Sequence, residues 1–253
     1  MLIHELPRQG EWLFRRRSFV PLLLVPVGII ALLTHPHPSG TPSLLERLYD
    51  LFCLFIAFLG LTVRGATSGY ASAGSSGRNT RGQIADHLNV TGPYSVVRHP
   101  LYLGNILIIL GVLLVTQCFF FVLVGVLAYL LFYERIIAVE EKFLEARFGE
   151  RYLQWAQRTP ALLPRLAQWK RAELSFSFRA AVRGEFYGFT AIIAAITVIK
   201  SLMASLAMRA FHPDRFWLYL FLGSFLLFLI LRHIRKHTSF FERADSEYDS
   251  SGV

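Results

Sequence analysis

Cysteine is nearly absent: Cys53 and Cys118 are the only two in 253 residues. Each sits in or beside an apolar run without a partner at metal-like spacing, so both read as small core hydrophobes and no metal site is expected. Charge is also scarce, at 17% against 54% hydrophobic residues, and the mean hydropathy of +0.45 is too high for an ordinary soluble domain of this size. No Gly-x-Gly-x-x-Gly opens a helix after a strand, which argues against a soluble dinucleotide-binding architecture. No internal repeat is evident. The first apolar run is not expected to be a cleaved signal peptide, because it contains Pro21 and Pro26, follows Arg15, Arg16 and Arg17, and leads into His35, Pro36, His37 and Pro38.

What is present is a series of apolar runs: Phe19 to Leu33, Leu48 to Val63, Leu101 to Thr116, Cys118 to Tyr133, Phe186 to Met208 and Phe216 to Leu231. They predict an all-α polytopic membrane protein of five to six transmembrane helices. Several runs fall short of the ~20 residues a perpendicular span needs, so tilted or hairpin-like spans are expected among them. Three segments follow: 1–47, an N-terminal arm and first membrane helix; 48–165, a core; and 166–253, an interfacial stretch and a final helix pair. That last pair reads as an addition to a four-helix unit.

The formal charge of +9 follows topology. Lys and Arg gather in the N-terminal arm, between Arg64 and Arg98, between Arg135 and Arg183, and after Arg232; only Arg47, Lys200, Arg209 and Arg215 lie elsewhere. Six spans with both termini inside put every cluster on the cytoplasmic face, as the positive-inside rule expects, so the partner is a bilayer and not nucleic acid. Lys200 is the one embedded-looking cation and is expected to snorkel to the interface near a helix end. His233 and His237, among Arg232, Arg235 and Lys236, read as a basic interfacial stripe in preference to a metal pair.

Two polar segments break the apolar pattern. The first, Gly65 to Arg98, opens with Gly65 to Gly77, too rich in Gly and Ser to favour a long regular helix; it reads as a passive linker or a loop that shapes a site, with Arg78 and Arg81 following at once. The second, Glu134 to Arg183, begins as a helical continuation with Ile136, Ile137, Val139, Phe143, Leu144 and Phe148 at helical spacing, and Gly149 is a natural stop. Beyond it, Tyr152, Trp155, Leu162, Leu163 and Trp169 alternate with basic residues and with Pro160 and Pro164, which predicts a cap along the interface.

The chemistry-bearing stretch runs from Arg98 to Glu141. Pro100 suits a first helical turn, so Arg98 and His99 lie at the positive end of a helix, where an anion such as a carboxylate is favoured. Only Gln117 and its neighbours separate the third and fourth apolar runs, which predicts an antiparallel hairpin. That hairpin brings Arg98 and His99 to the same mouth as Glu140 and Glu141. A zwitterionic ligand finds a complement there for each charge. On the residues alone, interfacial ion pairs without a ligand are the alternative.

Arg98-His99-Pro100-Leu101-Tyr102-Leu103-Gly104 followed by Glu140-Glu141 resembles the Arg-His-Pro-x-Tyr-x-Gly and Glu-Glu pattern of the isoprenylcysteine carboxyl methyltransferase and phospholipid methyltransferase superfamily. The similarity extends upstream through His87-Leu88 and Thr91-Gly92-Pro93-Tyr94, and downstream through Phe148-Gly149-Glu150-Arg151-Tyr152, Pro160 and Pro164. It covers roughly residues 48–164. The resemblance implies S-adenosylmethionine held in a cytoplasmic-side pocket. His99, Tyr102 and Gly104 would help form that pocket, and Glu140 or Glu141 would hold the cofactor's ammonium. Arg98 is the natural partner for its carboxylate, or else orients the Glu pair.

Methyl transfer from a sulfonium is an in-line displacement, so alignment and exclusion of water are the main demands. An anionic oxygen needs no prior deprotonation. Arg64, Arg78 and Arg81 are the residues expected to bind an anionic acceptor, with Arg64 the catalytic candidate, since a similar basic residue recurs at this place in the family. The segment Ser68 to Gly82 departs from the prenylcysteine enzymes and suits a lipid phosphate, such as that of lipid A in a bacterial inner membrane. Other readings are isoprenylcysteine or phospholipid amine methylation, a nicotinamide-dependent sterol-type reductase, and a non-catalytic lipid-binding protein.

Overall fold

The computed structural model describes residues 10–17, 19–34, 42–70, 87–238 and 240. In chain order its helices are α1 (10–15), α2 (Leu24–Thr34, preceded by a 3-10 turn Val20–Leu23), α3 (Leu44–Tyr70), α4 (Pro93–Val96), α5 (Pro100–Leu114), α6 (Phe119–Phe148), α7 (Glu150–Arg158), α8 (Phe178–Met208) and α9 (Arg215–His237). No strand occurs among the described residues. Each of the six apolar runs is helical. By length and composition α3, α6, α8 and α9 can cross a membrane, while Val20–Thr34 and Pro100–Leu114 are shorter apolar helices. Leu22, Ile30, Leu45, Phe55, Phe120 and Leu226 are among many large apolar side chains left exposed on the outside. Such a surface fits hydrocarbon as the solvent, and the protein is an integral membrane protein.

Local chemistry sets the helix ends. At the start of α3 the Ser43 N–H donates to Glu46 Oε2 at 2.6 Å and the Glu46 N–H to Ser43 Oγ at 3.2 Å, a capping box. Ser177 caps α8 by accepting from the Ala180 N–H, and Asp214 caps α9 by accepting from the N–H groups of Phe216 and Trp217. Pro100 occupies the first turn of α5. The hairpin between α5 and α6 turns through Gln117 in a left-handed conformation, φ 57°. Gly149, φ 54°, ends α6 and starts α7.

The closest seam is between α3 and α5. Cys53, Ala57 and Gly60 of α3 face Gly104 and Gly111 of α5, and a Cβ on Gly60 would collide with the Gly104 carbonyl. Dispersion and close backbone approach hold such seams in a bilayer, where apolar surface gains nothing by leaving lipid. On its other side α3 packs against α8, with Phe58 and Phe189 stacked at 5.4 Å between ring centres. Helix α9 packs on α8, where the Thr197 hydroxyl donates to the Trp217 carbonyl at 3.0 Å.

Two expectations are corrected. The Gly/Ser-rich stretch is helical as far as Tyr70, because α3 is already propagating when it reaches Gly65 and its end is held from outside: the Ser177 N–H donates to the Gly69 carbonyl at 3.0 Å. Residues 71–86, with Arg78 and Arg81, lie outside the described residues. Lys200 does not snorkel: it is buried in an ion pair with Asp50 of α3 at 2.9 Å. Glu185, on the extra turns by which α8 precedes its apolar run, pairs with Arg64, so the final helix pair touches the core segment.

Candidate active site

Residues 92–99 form an irregular stretch that would strand its backbone groups if uncovered. The chain after α7 covers it. The Arg98 N–H donates to the Pro160 carbonyl at 2.8 Å, the His99 N–H to the Ala161 carbonyl at 3.2 Å, and the Arg165 N–H to the Val96 carbonyl at 3.0 Å. The Gly92 N–H donates to the Lys170 carbonyl, and the Lys170 N–H returns to Ser95 Oγ at 2.9 Å. The cap expected along the interface is thus hydrogen-bonded to the motif itself.

Within this frame α5 and α6 bring the predicted charges together. Arg98 Nε donates to Glu141 Oε1 at 2.9 Å, while its Nη1 donates to the carbonyls of Ala156 at 2.6 Å and Thr159 at 3.0 Å. Among the described residues its Nη2 has no hydrogen-bond partner. His99 Nε2 lies 3.0 Å from the same Glu141 oxygen, and because an ionised carboxylate only accepts, Nε2 carries the hydrogen. On the other side of the ring, Nδ1 lies 3.7 Å from Glu140 Oε2. Arg98 therefore orients Glu141 through Nε and keeps a second edge of its guanidinium for another anion.

Among the described residues two buried hydroxyls beside this cluster complete no well-formed hydrogen bond, those of Tyr102, which lies against the Glu140 carboxylate, and Tyr152. Tyr102 is 7% exposed and stacks between His99 and Tyr133, at 5.6 and 4.9 Å between ring centres. Tyr152 is 3% exposed, and burial, reinforced by the Glu141 carboxylate, pushes its phenol above the ordinary value. It stays protonated and can donate. Buried hydroxyls without a well-formed bond are costly, and two of them facing paired carboxylates suit a polar ligand. The cluster fits a zwitterionic amino-acid moiety such as that of S-adenosylmethionine, with donors from Arg98 and the tyrosines and acceptors from Glu140 and Glu141.

Gly104 stands apart from these groups. A Cβ there would come 2.5 Å from Arg64 Cγ and 2.7 Å from the Gly60 carbonyl oxygen, so its lack of a side chain lets the Arg64 stem cross α5. Arg64 Nε donates to Glu185 Oε2 at 2.8 Å, Nη2 to Glu185 Oε1 at 3.2 Å, and Nη1 to Asn105 Oδ1 at 2.5 Å. Among the described residues three of its five N–H groups are engaged, which leaves two. Glu185 also lines an apolar cavity of about 280 Å³ between α3, α8 and α9, walled by Leu61, Phe186, Phe189 and Leu227.

Asn105, Glu185 and the Tyr152 hydroxyl were not anticipated as site residues. Glu185 did leave a signal, as the sole acidic residue between Glu173 and Asp214 in an otherwise apolar and basic stretch. Among the described residues no group of three His, Cys, Asp or Glu side chains could hold a metal ion.

Residues 52–151 match the phospholipid methyltransferase family. The chain is 40% identical over 89 residues to the cobalt-zinc-cadmium resistance protein CzcN of Cupriavidus metallidurans, covering 35% of this chain and 41% of that one. It is 29% identical over 196 residues to the nickel-cobalt-cadmium resistance protein NccN of Alcaligenes xylosoxydans xylosoxydans, covering 75% and 87%. With the protein-S-isoprenylcysteine O-methyltransferase of Schizosaccharomyces pombe the identity is 30% over 128 residues, 50% of this chain and 54% of the yeast protein. The matched region thus spans less than half of the first relative and about half of the third. No solved structure matches the chain. The match over 52–151 contains the Arg-His-Pro turn and the Glu pair that meet in the folded protein, and this stretch is similar to the isoprenylcysteine carboxyl methyltransferase and phospholipid methyltransferase superfamily.

Proposed function

We propose that the protein is an S-adenosylmethionine-dependent methyltransferase that O-methylates an anionic lipid head group, such as a lipid A phosphate, at the cytoplasmic side of a bacterial inner membrane. The supporting observation is that α5 carries both halves of such a site. His99 begins this helix beside the Arg98, Glu140 and Glu141 cluster, and Asn105, about 9 Å further along the axis, touches Arg64. A donor and an acceptor lying along one rigid helix are held at fixed separation, which is what an in-line displacement requires.

S-adenosylmethionine, when bound, supplies a methyl group on a sulfonium. Glu140 and Glu141 would hold its ammonium, the free edge of Arg98 its carboxylate, and Tyr102 and Tyr152 further polar atoms. Arg64 would bind the acceptor oxyanion through its two remaining N–H groups and aim one lone pair at the methyl. No proton need move, because a phosphate oxygen is already ionised near neutral pH. Burial under the 159–170 cap limits water. The apolar cavity reaching Glu185 favours an acceptor with a hydrocarbon chain, and Arg78 and Arg81 are proposed to meet its head group.

Membranes containing the protein are incubated with methyl-labelled S-adenosylmethionine and extracted. Label in an acidic glycolipid is expected; label confined to protein or to phosphatidylethanolamine derivatives would sink the reading.

A further inference from the structure

The residue matched to Arg64 lies in a helix the family match does not reach. Glu185 belongs to α8, is 6% exposed, and meets Arg64 side-on with both carboxylate oxygens. The Ser68 hydroxyl, one turn beyond Arg64, approaches Glu185 Oε1 at 3.5 Å. Gly188, one turn further on α8, keeps the space beside this carboxylate open: a Cβ there would be 3.0 Å from Leu61 Cδ1 and 3.6 Å from Glu185 Oε2. Glu185 on Nε and Nη2 and Asn105 on Nη1 together hold the plane of the guanidinium.

We propose that Glu185, whose carboxylate lines the α3–α8–α9 cavity, is the positioning residue of the acceptor subsite: it clamps Arg64 so that the N–H groups left over among the described residues meet an acceptor oxyanion. This rests on the methyltransferase reading above. The clamp has an electrostatic side. A guanidinium already paired with a carboxylate attracts a second anion weakly, so Glu185 lowers acceptor affinity while improving its alignment. The interaction therefore raises kcat without lowering acceptor KM, which sets it apart from simple anion capture. It also gives the final helix pair a part in catalysis, since α8 supplies the clamp and walls the cavity.

The test uses the full chain in proteoliposomes with lipid A as acceptor and labelled S-adenosylmethionine. Glu185→Gln is expected to lower kcat roughly 100-fold, the scale of a misaligned reacting group, with acceptor KM unchanged or lower and S-adenosylhomocysteine binding at full stoichiometry. Glu185→Asp should fall between the two. The exchange Arg64→Glu with Glu185→Arg should restore thermal stability but not transfer. Wild-type kcat in Glu185→Gln, a kcat loss matched by loss of S-adenosylhomocysteine-binding protein, or full transfer by the exchanged pair would overturn the proposal. Should Glu185→Gln fail to fold, Glu185→Asp decides: reduced kcat with full cofactor binding supports the clamp, and wild-type kcat overturns it. Absence of lipid label with the wild-type protein overturns the function reading and the clamp with it, a failure visible before any variant is made.

Discussion

Nζ of Lys200 lies 2.9 Å from Oδ2 and 3.1 Å from Oδ1 of Asp50, tying α8 to α3 between apolar faces of both helices. Two charges in that setting stabilise little as a pair, because desolvation offsets their attraction, yet either one alone is costly. Lys200→Met is therefore expected to lose about 3–5 kcal/mol of stability. The double variant Lys200→Met, Asp50→Leu should recover most of the loss. Thermal unfolding in detergent measures both. Equal stability of the two variants would mean that the pair is not buried in the membrane-inserted protein.

Glu141 receives both Arg98 Nε and His99 Nε2 on one oxygen. Glu141→Gln keeps the shape but removes the charge that draws a ligand's ammonium. Charged hydrogen bonds contribute about 1.5–3 kcal/mol each, so S-adenosylhomocysteine affinity should fall roughly 10- to 100-fold by calorimetry. Arg64→Ala should leave that affinity within about twofold of wild type and abolish transfer, since Arg64 is bonded to Glu185 and Asn105 and to none of the groups around Glu141.

The tyrosine hydroxyls make a sharper distinction. Neither completes a well-formed hydrogen bond among the described residues, so Tyr102→Phe and Tyr152→Phe remove buried polar atoms that burial penalises. Each variant should match or exceed the wild-type melting temperature while binding cofactor more weakly. A drop in stability with unchanged binding would assign the hydroxyls to the fold.

Gly104→Ala puts a methyl against the Arg64 stem. Overpacking of this kind costs about 1–3 kcal/mol, and transfer should fall while S-adenosylhomocysteine still binds. Loss of cofactor binding at unchanged stability would instead give Gly104 the pocket role that the family resemblance implies.

Much of the cluster around Arg98 and Glu141 was legible because it is local. Arg98, His99 and Pro100 are adjacent, Glu140 and Glu141 are adjacent, and a short hairpin turn at Gln117 joins their helices. Helical periodicity and one glycine stop were enough to bring them to a common mouth. The Arg64 cluster depends on contacts between distant segments. Glu185 and Lys200 meet α3 across 121 and 150 residues, and nothing in their own neighbourhoods names the partner. Hydropathy gave Lys200 an interfacial place because it scores a lysine alone, without the aspartate that neutralises it. The Gly/Ser stretch failed for a related reason: propensity describes an isolated helix, whereas residues 65–70 extend one already packed on both sides.

Helix α6 runs unbroken from Phe119 through Glu140 and Glu141. Each residue of such a helix turns the next side chain by about 100°, so inserting a single alanine near Leu127 would swing both carboxylates off the face that meets His99. A four-residue insertion would nearly restore the direction but lift the pair about 6 Å along the axis. The spacing between the hairpin turn and the carboxylates thus sets both compass bearing and height, and an insertion harmless in a loop would here disable the site with every functional residue intact.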